Sequence, residues 1–401
     1  MLSRLALIAG LLLAVAAAAA ATLIVIPAPS TALAEAAIAA SEKSYLIIGA
    51  GVLAAVLALI GSGPGMRGLA TMAVLIALAA IVLGLGPPAQ ALRLASERRV
   101  DLDFSRHFTS RVDSTEAVKT QRTVTYATVD GRKLDLDVYP AHGGPSGPAP
   151  AVITLHGGGW SKGTKGENTL FSRWLADRGF AVFDVEYRIA PQPNWQSAIG
   201  DVKCAIGWLK QQAATPEVNI DPRRITLLGR SAGAHLALMA AYTPGDPKLP
   251  PSCEAPDTTV ESVVDLYGPT DLQWGYEHPS NPRAYDSRAR QVGFIGGPPA
   301  THGELYRLLS PTARVTASSP RTLIVHGGRD QIVARQNAEL LADKLRDAQV
   351  RYETLYIPYA QHAFDYMFGG FAEQLLETVL LRFLNDHPPA TAPTPAAVPP
   401  Q

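Results

Sequence analysis

The stretch at 225–242 limits what this chain can fold into more than any other. A short apolar run, 225–228, reads as a buried strand. Gly229-Arg230-Ser231-Ala232-Gly233 follows it, and an alanine- and leucine-rich helix begins at once. A strand that turns this sharply into a helix holds the central serine in a strained backbone conformation with its hydroxyl exposed. Small residues two before and two after the serine let the turn close. The N–H of Ala232, at the new helix N-terminus, can then face an oxyanion. The pentapeptide alone is a weak pattern. It gains force from the strand before it, the helix after it, and partners in the right order further along.

The chain from 123 onward alternates in the same way. Residues 123–129 and 133–139 alternate as strands around Asp130-Gly131, a hairpin turn signal. Short buried strands are expected at 151–155, 180–185, 260–267, 321–325 and 352–357. Helices are expected at 168–178, 195–212, 334–348 and 371–384. Alternation of this kind implies an α/β fold: a mostly parallel sheet covered on both faces, led by an antiparallel hairpin. Reactive groups in such sheets gather at the carboxyl ends of the strands. The segment 268–311 reads as irregular and carries five aromatics, Trp274, Tyr276, Tyr285, Phe294 and Tyr306, expected to build a substrate pocket.

A serine hydroxyl needs a base to become a nucleophile, and the base is normally a histidine oriented by a carboxylate. In the order serine, acid, histidine, the base follows the last strand. Only His362 and His387 lie there, and His387 abuts an alanine- and proline-rich tail. His362 is the expected base. Asp330, in the loop after the preceding strand, is the expected acid, with Asp271 one strand earlier as the runner-up. His235, four residues after Ser231 on one helix, is read as a packing or capping residue. His156-Gly157-Gly158-Gly159 directly follows a buried strand. Its glycines can turn N–H groups inward, so Gly157 and Gly158 are expected to join Ala232 in an oxyanion hole.

With His156-Gly157-Gly158-Gly159-Trp160, Tyr187-Arg188-Ile189-Ala190-Pro191, the serine pentapeptide, Asp330 and His362 in place, the chain from about 122 to 385 resembles an α/β-hydrolase. It is similar to carboxylesterases of the hormone-sensitive-lipase type and to feruloyl-esterase-like and kynurenine-formamidase-like groups. The resemblance implies Ser231 as nucleophile, Asp330 as acid, His362 as base, and oxyanion N–H groups from Gly157, Gly158 and Ala232. It departs in two places. Arg230 stands where lipase-type members usually have aspartate, and membrane spans stand where they carry N-terminal cap helices.

Basic and acidic residues balance at 35 each, which gives no reason to expect a nucleic-acid partner. Three apolar runs without charge, at 5–26, 45–60 and 69–85, are at or near the ~20 residues needed to cross a bilayer. The rival for the first is a secretory signal, since Ala32-Leu33-Ala34 resembles a cleavage site. Three spans are the favoured reading, with the lipid bilayer as a partner. Arg4 ahead of the first span puts the large domain on the extracytoplasmic side. Arg93, Arg98 and Arg99 after the third span argue the other way. The plain reading of Cys204 and Cys253 is two unrelated thiols. A bridge would need Cα atoms within ~7 Å and an oxidising compartment.

The expected organisation is a membrane-anchoring region at 1–92, a juxtamembrane linker at 93–120, a catalytic domain at 121–387 and a disordered tail at 388–401. The expected function is a membrane-anchored serine esterase acting on a small-molecule ester with no metal or organic cofactor. An amidase, formamidase or peptidase would use the same residues. A non-catalytic binding module is the reading from a different class.

Overall fold

The structure, a computed structural model, describes residues 2–113, 122–142 and 147–386. The tail expected at 388–401, His387 and the last part of the linker, 114–120, lie outside them.

Four helices open the chain: α1 (Leu2–Val25), α2 (Thr31–Glu42), α3 (Ser44–Ile60) and α4 (Arg67–Arg98). α1 and α4 are each long and apolar enough to cross a membrane. α3 has 17 residues and passes that test only together with α2, from which it is bent by 79°. The three long helices pack through small residues. Ala14, Ala54 and Ala77 are fully buried between them, while Leu53, Leu59, Leu75 and Val82 point outward and are exposed. Small residues allow close backbone approach where no water drives burial. α4 runs on past the apolar stretch and into the region read as linker. Its last turns bury Ala91, Leu94 and Ala95 against the following domain. A short helix, α5 (Phe104–Phe108), and a two-residue ribbon pairing Arg111–Val112 with Met367–Phe368 complete the junction.

The second part is built on eight strands. They are β1 (Arg122–Val129), β2 (Arg132–Tyr139), β3 (Ala149–Leu155), β4 (Ala181–Val185), β5 (Ile220–Arg230), β6 (Ser262–Leu266), β7 (Arg321–Gly327) and β8 (Tyr352–Ile357). They lie in the order β1-β2-β4-β3-β5-β6-β7-β8. β1 and β2 pair antiparallel through Asp130 and Gly131, both at positive φ as a two-residue hairpin turn requires. β2 also meets β4 antiparallel, and every later pairing is parallel. Side chains alternate across the sheet as the strand period dictates. Ile225 and Leu227 of β5 face one core, and Leu228 faces the other. The first core is covered by α7 (Trp195–Gln212), α8 (Ala232–Tyr242) and α12 (Gln336–Asp347). The second is covered by α6 (Thr169–Ala176) and α13 (Phe371–Asn385). The expected α/β architecture with its leading hairpin is therefore the architecture present.

Two expectations are corrected. The segment 268–311 is not irregular. It holds α9 (Leu272–Glu277), α10 (Ser287–Ile295) and α11 (Pro299–Leu308). Asp271 and Asp286 cap the first two, accepting the N–H groups of Trp274 and Ala289. These helices are too short for a helical period to stand out in the sequence. Cys204 and Cys253 are not unrelated thiols but a disulfide, with Cα atoms 5.5 Å apart across a separation of 49 residues. It ties α7 to the loop that leaves α8, a proximity that only the crossover geometry of the sheet creates.

Candidate active site

Ser231 sits between β5 and α8 with φ 53° and ψ −118°, backbone angles that a side-chain-bearing residue adopts only under constraint. The constraint is visible. Its N–H donates to the Leu266 carbonyl at 2.9 Å, and a Cβ at Gly233 would lie 2.3 Å from the His156 carbonyl oxygen. Only glycine at that position lets α8 approach the loop after β3 so closely.

The structure brings the expected triad together. The Ser231 hydroxyl lies 3.0 Å from His362 Nε2, and His362 Nδ1 lies 2.7 Å from Asp330 Oδ2. A nitrogen against a carboxylate carries the proton, so Nδ1–H donates to Asp330 and Nε2 is left to accept from Ser231. Asp330 is held in turn. Its Oδ1 accepts the N–H groups of Ile332 and Val333 at 2.8 and 2.9 Å. Burial opposes its charge, but His362 and the hydrogen bond from His326 outweigh burial and keep the carboxyl well below its usual range. Asp271 is not brought to His362. Besides capping α9, it accepts from the Thr312 hydroxyl at 3.1 Å.

The loop after β3 stands over the serine. A Cβ at Gly157 would touch Ser231 Cβ at 3.4 Å, and Gly158 has φ 108°, with its Cβ position only 2.0 Å from the Lys162 carbonyl oxygen. Such backbone is open to glycine alone. His156 is buried, stacks on Tyr187 with ring centroids 4.3 Å apart, and approaches the Gly157 carbonyl with Nδ1 at 2.8 Å. The Tyr187 hydroxyl donates to the His156 carbonyl at 2.8 Å. Among the described residues, no hydrogen bond engages the N–H groups of Gly157, Gly158 or Ala232. His235 takes no part in the triad. It is fully buried, accepts from Trp160 Nε1 at 3.2 Å, and donates from Nε2 to the Leu309 carbonyl at 2.7 Å. Burial lowers its pKa to about 4.

Two cavities meet at Ser231. One is lined by Gly157, Gly158, His362, Ala363 and Ile332, and also by Thr31, Ala34, Glu35 and Ile38 of α2. The other runs beneath α9 and α10 past Ala232, Ser280, Arg290, Gln291 and Asn337. Of the five aromatics in 268–311, Tyr285 lines both cavities. Phe294 stacks on Trp160, Tyr276 packs edge-on against Tyr306, and Trp274 stacks on His278. They shape the pocket from behind. The sequence reading also missed α2, which roofs the serine. An N-terminal helix therefore does cover the site, and it lies between two apolar helices. The signal was there: Pro27 and Pro29 break the apolar run before Ser30, and an alanine-rich helix-forming dozen follows.

Arg230, the departure from the lipase-type pattern, has a structural role. Its side chain is buried, donates from Nε to Asp365 Oδ2 at 2.6 Å, and lies over the Phe171 ring. The Tyr267 hydroxyl donates to the other oxygen of Asp365 at 2.5 Å. This pair fastens the serine turn to the loop that carries His362.

Comparison with known proteins adds to this geometry. The family model described as BD-FAE matches residues 136–345, just over half of the chain. The chain belongs to the BD-FAE family. Esterase LipC of Mycobacterium tuberculosis is 34% identical over 261 residues, covering 62% of this chain and 61% of LipC. A relative named probable carboxylic ester hydrolase LipM, from the same organism, is 33% identical over 237 residues, covering 58% of this chain and 52% of LipM. The chain thus spans less than two thirds of the length of these relatives. Among solved structures, esterase 2 of Thermogutta terrifontis superposes with a TM-score of 0.54 at 22% identity, covering 67% of this chain and 97% of that one. A truncated carbohydrate esterase from gut microbiota superposes at 0.51 and 24% identity, covering 64% and 97%. At that level of identity the likeness is one of fold, and the fold of this BD-FAE member is that of the α/β-hydrolases.

Proposed function

We propose that this chain is a membrane-anchored serine esterase. The observation that carries the reading is the contact chain Ser231–His362–Asp330, at 3.0 and 2.7 Å, at the junction of two cavities under a glycine loop. Ser231 attacks the ester carbonyl while His362 Nε2 takes its proton, and Asp330 holds the imidazole in the required tautomer and stabilises the cation that forms. The free N–H groups of Gly157, Gly158 and Ala232 receive the oxyanion, each worth about 3 kcal/mol. His362 returns the proton to the departing alcohol, and water activated by the same histidine then cleaves the acyl-enzyme. Named esterases among the relatives support ester hydrolysis as the reaction class.

α1, α3 and α4 anchor the protein in a bilayer. The end of α1, the junction of α2 with α3 and the end of α4 all abut the catalytic domain, which suits an up-down-up passage with the domain opposite Arg4. The Cys204–Cys253 disulfide supports the extracytoplasmic side, because it persists only in an oxidising compartment. The test is turnover of p-nitrophenyl butyrate by the purified full-length protein. Ser231→Ala is expected to lose ~10⁴-fold or more with the fold intact. Retention of more than about a hundredth of the rate would remove Ser231 as nucleophile.

A further inference from the structure

α2 is a wall of the reaction cavity and at the same time the link between two apolar helices. Thr31, Ala34, Glu35 and Ile38 share the cavity with Ser231 and His362. The segment is fastened to the domain at several points. The Ala28 N–H donates to Gln331 Oε1 at 2.6 Å, Asn281 Nδ2 donates to the Ala28 carbonyl at 2.7 Å, and the Thr31 hydroxyl donates to the Ala284 carbonyl at 2.5 Å. At its far end, Glu42 is buried where α13 begins, within 3.5 Å of the Ala372 N–H. The 79° bend between α2 and α3 lays α2 nearly across the axis of α3. Ile38 lies about 6 Å of helix rise before the end of α2 at Glu42. The outer face of α2 carries Leu33, Ala36 and Ala39, all exposed, and Ile26 is exposed just before it. α2 thus lies nearly across the axis of α3 with Leu33, Ala36 and Ala39 turned outward.

We propose that the substrate is an amphipathic ester dissolved in the bilayer leaflet that faces the catalytic domain, reaching Ser231 beneath α2. The inference rests on the anchored-esterase reading above and adds the substrate's source and orientation. The lipophilic chain lies against Ala34, Ile38, Ile332 and Ala363 in the cavity walled by α2. The polar part lies in the second cavity, where Ser280, Arg290, Gln291 and Asn337 offer hydrogen bonds. Ester and serine meet where the two cavities join.

The test uses the full-length protein in nanodiscs of ether-linked phosphatidylcholine, which contain no ester of their own. Two probes share one chemistry: 4-methylumbelliferyl acetate, which is water-soluble, and 4-methylumbelliferyl oleate, which partitions into the disc. Oleate turnover is expected to follow its mole fraction in the disc and to stay constant when discs are diluted at fixed mole fraction. The double variant Leu33→Glu/Ala36→Glu, outside the cavity, is expected to lower oleate turnover about tenfold while leaving acetate turnover unchanged. Ile38→Trp, which narrows the cavity, is expected to lower oleate turnover by on the order of tenfold relative to acetate. Oleate rates that follow bulk concentration, or a double variant that leaves oleate turnover intact or lowers both substrates equally, would overturn the proposal while leaving the esterase reading standing. Failure to turn over the acetate and the oleate alike would overturn the esterase reading itself, and the proposal with it.

Discussion

The helical bundle and the α/β domain bury opposite kinds of residue. Between α1, α3 and α4 the fully buried positions are alanines such as Ala14, Ala54 and Ala77, and most large apolar side chains, Leu53, Leu59 and Leu75 among them, are exposed, with Leu7, Ile24 and Ile47 the buried exceptions. In the α/β domain the arrangement reverses, with Leu227, Phe183, Val264 and Leu323 fully buried. In water, burying large apolar groups supplies the stability. In lipid that driving force vanishes and close helix contact through small residues replaces it. On the membrane-anchored reading proposed above, one chain follows two sets of folding rules, and the change between them falls within α4, whose last turns pack into the second core.

The comparison can be broken by substitution. The largest effect is expected at the site that the α/β domain supports. Asp330→Asn should lower kcat by ~10⁴-fold, because the wrong imidazole tautomer becomes available. Asp271→Asn, which removes only a helix cap and the Thr312 contact, should change kcat by less than about threefold. Reversed losses in steady-state kinetics would move the acid to the other strand end.

The two burial patterns then predict opposite responses to size. Leu227→Ala leaves a cavity in the water-soluble core and should cost about 2–5 kcal/mol in thermal or denaturant unfolding. Leu53→Ala, at an outward position of α3, should cost less than about 0.5 kcal/mol. Enlargement inverts the ranking: Ala54→Leu forces α1 and α3 apart, at about 1–3 kcal/mol. If Leu53→Ala proved as damaging as Leu227→Ala, the bundle would be held together by the same forces as the domain, and the membrane reading would lose its main support.

A smaller effect concerns acid stability of the α/β domain. His235 is buried neutral, with its pKa lowered from 6.5 to about 4. The folded state therefore binds fewer protons than the unfolded chain between these values. The stability His235 contributes is complete above pH 6.5 and is lost as pH falls through about 4, by on the order of 3 kcal/mol. Melting of the nanodisc-held protein followed from pH 7 to pH 4 checks this, and His235→Gln should flatten the curve.

Much of this architecture was legible in the sequence because it is written locally. The strand–Ser231–helix turn and the Asp130-Gly131 hairpin each depend on neighbours in the chain, and Asp330 and His362 were expected from the strand ends that each follows. What escaped depends on distance. The Arg230–Asp365 pair joins residues 135 apart, and the disulfide joins α7 to a loop 49 residues on. Neither leaves a local mark. α2 escaped for another reason: its two glutamates and lower hydropathy kept it out of the apolar runs, but nothing local shows that an alanine-rich helix between two of them folds back over a serine about 190 residues on. The short helices α9 to α11 were hidden by their length, since a period of 3.6 cannot be read from six to ten residues.

The central claim is that Ser231 is the nucleophile of this anchored esterase, and a covalent label tests it most directly. The full-length protein is treated with a fluorophosphonate at neutral pH and digested, and the modified peptide is sequenced by mass spectrometry. A single adduct on Ser231, abolished by Ser231→Ala and strongly slowed by His362→Ala, is the expected result. An unlabelled protein, or an adduct on another serine that survives Ser231→Ala, would contradict the claim.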